Sequence, residues 1–395
     1  MNVLFLNTSE RTGGAAIAAE RLKTALERNG VSVSPCFRKG KEGFYVERAA
    51  IWAANGFSKK NLFAVDIANC GEDITGLPEF KEADIIHLHW INQGFISING
   101  LKKIIASGKP VVWTMHDMWP CTGICHHSRE CNNYYDGCHD CRYLRFPCKT
   151  DMSSVIYRRK EAAYKAANIT FVTCSKWLKG RAGHSGLLAG HNLMDIPNPI
   201  DTDFYKPTGQ KDRKEELRIL FGAAKITDKR KGIDYFIEAC NILKKKYSGL
   251  NLKVVCYGQN SEVLSSLLPY PVESLGYISG DTAIRDLYNS VDLFVTPSLE
   301  ENLPNTIMEA MACGVPCVGF NVGGIPEMIG HKETGYVAEY KSAEDFADGI
   351  AWTLDWTRYE QLSKASRKKV IDNYSQDKVA GQYISLYKSL LMSNE

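Results

Sequence analysis

Residues 297–329 read PSLEENLPNTIMEAMACGVPCVGFNVGGIPEMI. Two acids, Glu301 and Glu309, stand eight positions apart around a Leu-Pro-Asn turn. On one continuous helix they would lie about 12 Å apart along the axis. Pro304 argues for a break instead, because proline suits the first helical turn and is costly further in. The spacing therefore predicts a helix from about Asn305 to Ala312, with Glu301 in the approach loop and Glu309 more than a turn inside. Gly314 then stops the helix, and Pro316–Phe320 starts a strand.

Outward from this stretch the chain alternates short apolar runs with helical patterns, the mark of parallel βα units. Strands are predicted at Val3–Leu6, Val31–Cys36, Ile85–His89, Val111–Met115 and Ile169–Cys174, with helices at Ala15–Asn29 and Ser153–Ala167. The alternation restarts with strands at Leu217–Gly222, Leu252–Tyr257 and Leu293–Thr296, and helices at Ile233–Tyr247, Thr282–Ser290 and Ala343–Leu354. The Pro-rich MDIPNPIDTDFYKPTGQ (194–210) reads as a hinge. The expected organisation is a Rossmann-like domain over 1–195 with a Cys-rich insertion at 121–148, a second over 196–372, and a helix over 373–395 packing back on the first. Doubly wound sheets of this kind place ligands at the carboxyl ends of their strands, here facing one another across a cleft.

A length of 395 residues suits two domains, and 44% hydrophobic with 24% charged residues is an ordinary globular balance. A net charge of +3 is too mild to argue for nucleic acid. The basic clusters at 157–165, 228–232 and 243–247 read mostly as solvated helix faces. MNVLFLN is too short for a signal peptide, and no window approaches a membrane span. Thirteen cysteines without an export signal point to a reducing cytosol.

Four elements fall at the expected strand ends. TSERTGGAA (8–16) puts Gly13-Gly14 at a helix start, where backbone amides can meet anionic oxygens. TMHD (114–117) places His116 at a strand end, while His87 and His89 share one face of IIHLHW. DKRKG (228–232) offers Lys231 as a point charge for phosphate, against the plainer reading of a solvated loop. Around Glu301, an acid able to accept from two hydroxyls stands beside helix amides able to hold phosphate, which describes a nucleotide-sugar pocket.

The stretch resembles the E-x7-E signature of the retaining glycosyltransferases of family 4, whose fold is GT-B. Glu301 and Glu309 match its two acids. TGGAAIAAERLKTALERNGVSV, TMHD, VTCSKWL, IPNPIDTDFYKP, the KG at 231–232, VTPSLEENLP, EAMACGVPCV and GGIPEMI with ETGYV extend the likeness along the chain in order. The resemblance implies that Glu309 binds ribose hydroxyls, Glu301 the transferred sugar, Asn302 and Leu303 the sugar or diphosphate through their amides, and Lys231 the diphosphate. It implies that Gly13 and Gly14 close over the phosphates and that His116 touches the donor sugar. It also implies a UDP- or GDP-linked donor, no catalytic cofactor, a glycan or lipid-linked acceptor in bacterial surface-polysaccharide assembly, and a cytoplasmic enzyme peripheral to the inner membrane. The rival readings are a GT-B epimerase or phosphorylase, or a non-catalytic zinc-stabilised binding protein. One departure stands out. Where the family has Gly-Arg after the first strand of its second domain, this chain has Gly222-Ala223, with Lys225 or Arg230 as the candidate replacement.

The insertion CTGICHHSRECNNYYDGCHDC (121–141) carries Cys125, Cys131, Cys138 and Cys141. Only the last pair has the spacing zinc prefers, and the loop is rich in polar residues and turn-formers. These four are expected to bind a structural zinc, in a closed site with no catalytic position, against the alternative of free or core thiols and with His126, His127, His139, Cys121 and Cys148 as substitute ligands.

Overall fold

The computed structural model describes residues 1–165, 167–209 and 215–393. They fall into two compact units, one of Met1–Pro199 with Val379–Glu395 and one of Ile200–Lys378. The end of the expected hinge stretch, residue 210, lies outside the described residues.

In the first unit β1 (Asn2–Asn7), β2 (Ser32–Phe37), β3 (Ile85–Leu88), β4 (Val111–Met115), β5 (Ile169–Thr173) and β6 (Asn192–Asp195) form one parallel sheet in the order β2-β1-β3-β4-β5-β6. Every residue of β3, β4 and β5 is buried, as strands covered on both faces must be. The connecting helices are α1 (Gly14–Arg28), α2 (Glu42–Ala54), α3 (Pro78–Glu82), α4 (Ile98–Ala106), α5 (Met152–Tyr164) and α6 (Lys176–Gly183). In α1, the face formed by Ala18, Leu22, Ala25 and Leu26 is buried, a helical stripe laid on the sheet.

In the second unit β7 (Leu217–Lys225), β8 (Leu252–Gln259), β9 (Val272–Ser274), β10 (Leu293–Thr296), β11 (Cys317–Phe320) and β12 (Gly335–Ala338) form a second parallel sheet, ordered β12-β11-β10-β7-β8-β9. Its helices are α7 (Ile233–Lys246), α8 (Asp281–Ser290), α9 (Asn305–Ala312), α10 (Ile325–Met328), α11 (Ala343–Thr353) and α12 (Trp356–Tyr374). Finally α13 (Gln376–Met392) carries the chain back, and its Val379, Ala380, Tyr383 and Tyr387 join the first unit's core with Val3, Phe5 and Leu22.

Each sheet reverses its winding once. The chain leaves β1 for β2 and then crosses to β3 on the other side. In the second unit it goes from β7 through β8 and β9, then crosses to β10. The switch points are thus β1/β3 and β7/β10, and ligands of open α/β sheets settle outside the strand ends there.

The Cys-rich insertion corrects the zinc expectation. Among the described residues no group of three or more His, Cys, Asp or Glu side chains could hold a metal ion, so a site at Cys125, Cys131, Cys138 and Cys141 has no support here. The four instead line one small void of about 20 Å³ together with Ile124, Tyr134 and Tyr143. Polar as its sequence is, the loop has large anchors: Tyr134 and Tyr143 are 1% and 5% exposed and belong to the main core, as does Trp119 just ahead of it. Polar groups finish the job. The Asp151 carboxylate accepts from the backbone N–H groups of Cys141, Ser153 and Ser154 at 2.8, 2.9 and 3.3 Å. Burial pushes the Cys138 thiol up to about 12 and Cys141 to about 11, which keeps both protonated at neutral pH.

Candidate functional site

Lys231 and Glu301 come from the two loops that leave the second sheet at its switch point, after β7 and β10. The loop Lys229–Lys231 is a single 3₁₀ turn capped by the Asp228 carboxylate, and Gly232 ends it at φ 72°. A β-carbon on Gly232 would overlap the Pro297 carbonyl oxygen, so glycine lets the two loops touch. Leu299 N–H then donates to Arg230 O at 2.7 Å and locks them. Within this frame the Lys231 ammonium is ion-paired with Glu301 Oε1, which also accepts from Ser298 Oγ at 3.2 Å. The two side chains are 31% and 16% exposed, enough for a ligand to reach and too little for water to screen fully. A third loop closes behind. Gly323, at φ 60°, lies where a β-carbon would overlap the Glu301 carbonyl oxygen, and Gly324 N–H donates to Asn302 O at 2.8 Å.

Pro304 caps α9, as its position predicts, and Glu309 sits in the helix interior at 6% exposure. Its Oε2 accepts from Tyr288 OH at 3.1 Å. Tyr288 in turn hydrogen-bonds Tyr257, and burial pushes both phenols well above their usual value, so they stay neutral donors. Sequence reading missed this phenol pair. Tyr288 lies 21 residues before Glu309, on a different helix, and no spacing rule links them.

The other assigned residues divide. Asn302 and Leu303 are buried beside Glu301. Lys225 is exposed at the end of β7, where the register against β8 shifts between Gly222 and Lys225. Arg230 is exposed but held by its neighbour, its Nε and Nη2 donating to Asp228 at 3.2 and 2.7 Å. Of the two candidates for the missing arginine, it is thus the one already engaged. Ala223, at the family's arginine position, is only 6% exposed.

Gly13, Gly14 and His116 belong to the first unit. Gly13 caps α1 at φ 94°, a conformation that favours glycine, with nothing within 4 Å of its would-be β-carbon. His116 follows β4, and its ring is tied on both sides: Nε2 lies 3.1 Å from His89 Nδ1, and Nδ1 lies 3.6 Å from Cys174 Sγ. His87, by contrast, is wholly internal, bridging Tyr387 OH at 2.6 Å and Thr114 Oγ1 at 2.7 Å. Burial holds all three imidazoles below their ordinary range, His116 at about 4, so they are neutral at pH 7. Asp117 serves architecture. One carboxylate oxygen accepts from Trp90 Nε1 and meets His126 Nδ1, both at 2.8 Å.

Two parallel α/β sheets, the second with a cation and an acid paired at its switch point, define a tandem Rossmann-like protein of the GT-B type. Residues 12–204 match the family described as Glycosyltransferase Family 4, and residues 217–355 match Glycosyl transferases group 1. An uncharacterized glycosyltransferase of Methanocaldococcus jannaschii is 32% identical over 95% of this chain and 94% of its own. The putative colanic acid biosynthesis glycosyltransferase WcaL of Escherichia coli is 27% identical over 48% of this chain and 50% of its own. The crystal structure of Anabaena HepE in complex with UDP and glucose superposes with a TM-score of 0.62 at 15% identity, covering 98% of this chain and all of that one. The chain belongs to the family 4, group 1 glycosyltransferases, and it has their GT-B fold. No helix among the described residues is long and apolar enough to cross a membrane.

Proposed function

We propose that the protein transfers a sugar from a nucleoside-diphosphate donor, UDP- or GDP-linked, to a glycan or lipid-linked acceptor with retention of the anomeric configuration. The observation that carries this reading is the Lys231–Glu301 pair at the β7/β10 switch point, with Glu309 held by Tyr288 nearby in sequence on the following helix. Lys231 and Glu301 serve as each other's counter-charge. A diphosphate would draw the ammonium to itself and release the Glu301 carboxylate to accept from sugar hydroxyls. Glu309 can accept from ribose hydroxyls while Tyr288 fixes its second oxygen. Asn302 and Leu303 support the sugar end, and Lys225 stands as the exposed cation near the phosphates. Gly13, Gly14 and His116 keep the donor-phosphate and donor-sugar roles that the family likeness gives them.

In the proposed reaction the bond from the anomeric carbon to the phosphate oxygen breaks. The acceptor oxygen then bonds to the same face of that carbon, and its proton passes to the departing phosphate. Lys231 stabilises the charge growing on that phosphate, and neither glutamate acts as a nucleophile. No resident metal or cofactor enters these steps. The similarity to a colanic acid enzyme supports surface polysaccharide as the setting.

A thermal-shift panel tests the donor class, since a ligand that binds only the native state must raise the melting temperature. UDP or GDP at about 100 times its Kd should stabilise by about 2.7 kcal/mol, and the matching nucleoside far less. No shift with any nucleoside diphosphate would overturn the reading.

A further inference from the structure

Three imidazoles line up where β3 and its parallel neighbour β4 end. His87 lies in β3, His89 one residue beyond it on the same face, and His116 one residue beyond β4. The rings stack in series. His87 and His89 have centroids 4.3 Å apart and planes at 27°, and His89 and His116 follow at 5.4 Å and 21°. Phe5 packs on His89 at 4.6 Å. The far end of the stack is anchored to α13. Tyr387 OH meets His87 Nδ1 at 2.6 Å, and Thr114 Oγ1 bonds both His87 Nε2 and Tyr383 OH, at 2.7 and 2.8 Å. His89 is thus clamped between an anchored ring and His116.

The hydrogen bonds decide which nitrogens carry protons. The Cys174 thiol has one hydrogen and donates it to Met115 O at 3.3 Å. Its sulfur therefore accepts from His116 Nδ1, 3.6 Å away, which puts the His116 proton on Nδ1. His116 Nε2 is then an acceptor. The group facing it at 3.1 Å is His89 Nδ1, which must be the donor. A second argument starts from the other ring and agrees. His89 is a neutral imidazole, and its Nε2 is buried without a hydrogen-bond partner among the described residues. A proton there would be a buried donor with no acceptor, so the proton belongs on Nδ1 and the orphan is a lone pair.

We propose that His89 is a positioning residue for His116. By donating from Nδ1 to His116 Nε2 it holds that ring in its Nδ1–H form and in one orientation, so the imidazole meets the donor sugar already set. Which imidazole nitrogen keeps the proton is decided by the hydrogen bond made at the other. Cys174 completes the arrangement from the opposite edge as the acceptor for Nδ1–H. His89 itself, 2% exposed, touches no substrate in this role. The inference rests on the reading that His116 contacts the donor sugar, and it adds the residue that prepares the contact.

The tautomer can be read without substrate. Long-range proton–nitrogen NMR of the full-length protein, with the His116 signals assigned by their absence from His116→Ala, should show a protonated Nδ1 and a bare Nε2. His89→Leu fills the space between Phe5 and His87 without a donor. It should melt close to wild type and shift His116 out of the Nδ1–H form. Its kcat for sugar transfer should fall roughly tenfold, with KM for the donor and affinity for UDP or GDP nearly unchanged. His89→Asn places an amide N–H where Nδ1–H stands and should restore both the tautomer and most of the turnover. A merely structural role would make leucine, apolar in an apolar setting, serve at least as well as asparagine. Two results would overturn the positioning role alone: a wild-type His116 protonated at Nε2, or normal turnover by His89→Leu while His116→Ala is impaired. Normal transfer by His116→Ala would overturn the sugar contact itself, and the positioning role with it.

Discussion

Lys231→Ala should lower affinity for UDP or GDP about 10- to 150-fold while leaving the affinity for the nucleoside unchanged. A charge-assisted hydrogen bond is worth about 1.5–3 kcal/mol, and every 1.4 kcal/mol is a factor of ten. Turnover should fall further, by about 100-fold or more, because the ammonium also meets charge that appears only as the phosphate departs. Titration calorimetry with the two ligands separates these effects. The variant has a second consequence, read from the ion pair itself. It strands the Glu301 carboxylate, 16% exposed, with Ser298 Oγ as its neutral donor among the described residues. The melting temperature should therefore drop, and adding Glu301→Gln should restore it without restoring diphosphate binding. Equal losses for nucleoside and diphosphate would remove Lys231 from the phosphate.

The two acids should part company under the same substitution. Glu309→Gln retains the shape of the side chain and loses its charge, so free nucleoside diphosphate should bind roughly tenfold more weakly. Glu301→Gln should leave that affinity nearly intact, since its proposed partner is the sugar, and should reduce turnover of the full donor. The structure offers a reason for the asymmetry. Glu309 is fixed by a neutral phenol and buried at 6%, a permanent part of the floor, whereas Glu301 is held by a cation that the ligand itself would recruit. If Glu301→Gln weakened free diphosphate and Glu309→Gln spared it, the roles would be exchanged.

The strands that build both sheets were readable because burial on two faces writes itself as short apolar runs. Val111–Met115 and Leu293–Thr296 fall where those runs predict. Three strands were missed: β6 is NLMD and partly exposed along its length, β9 is three residues with none buried, and β12 is the short, mostly buried GYVA, which opens on glycine and offers too brief an apolar run to stand out. Helix α2 escaped for a different reason. Its Glu47 and Arg48 face inward while Tyr45, Val46 and Trp52 face outward, so the periodicity rule has the wrong sign there. Glu301 and Lys231 were both legible as strand-end residues, but not their pairing, which depends on sheet order bringing β7 beside β10. The Cys-rich insertion misled because tyrosine in a polar loop reads as surface. Tyr134 and Tyr143 are core residues whose hydroxyls reach the backbone carbonyls of Arg181 and His127 at 3.0 and 2.6 Å.

The mechanism proposed around Lys231 and Glu301 has one stereochemical signature, same-face replacement of phosphate by the acceptor oxygen. Proton NMR of the glycosidic product, whose anomeric centre does not mutarotate, reads the anomeric configuration directly. A product with the donor's own configuration is the expected result, and an inverted anomeric centre would contradict the account.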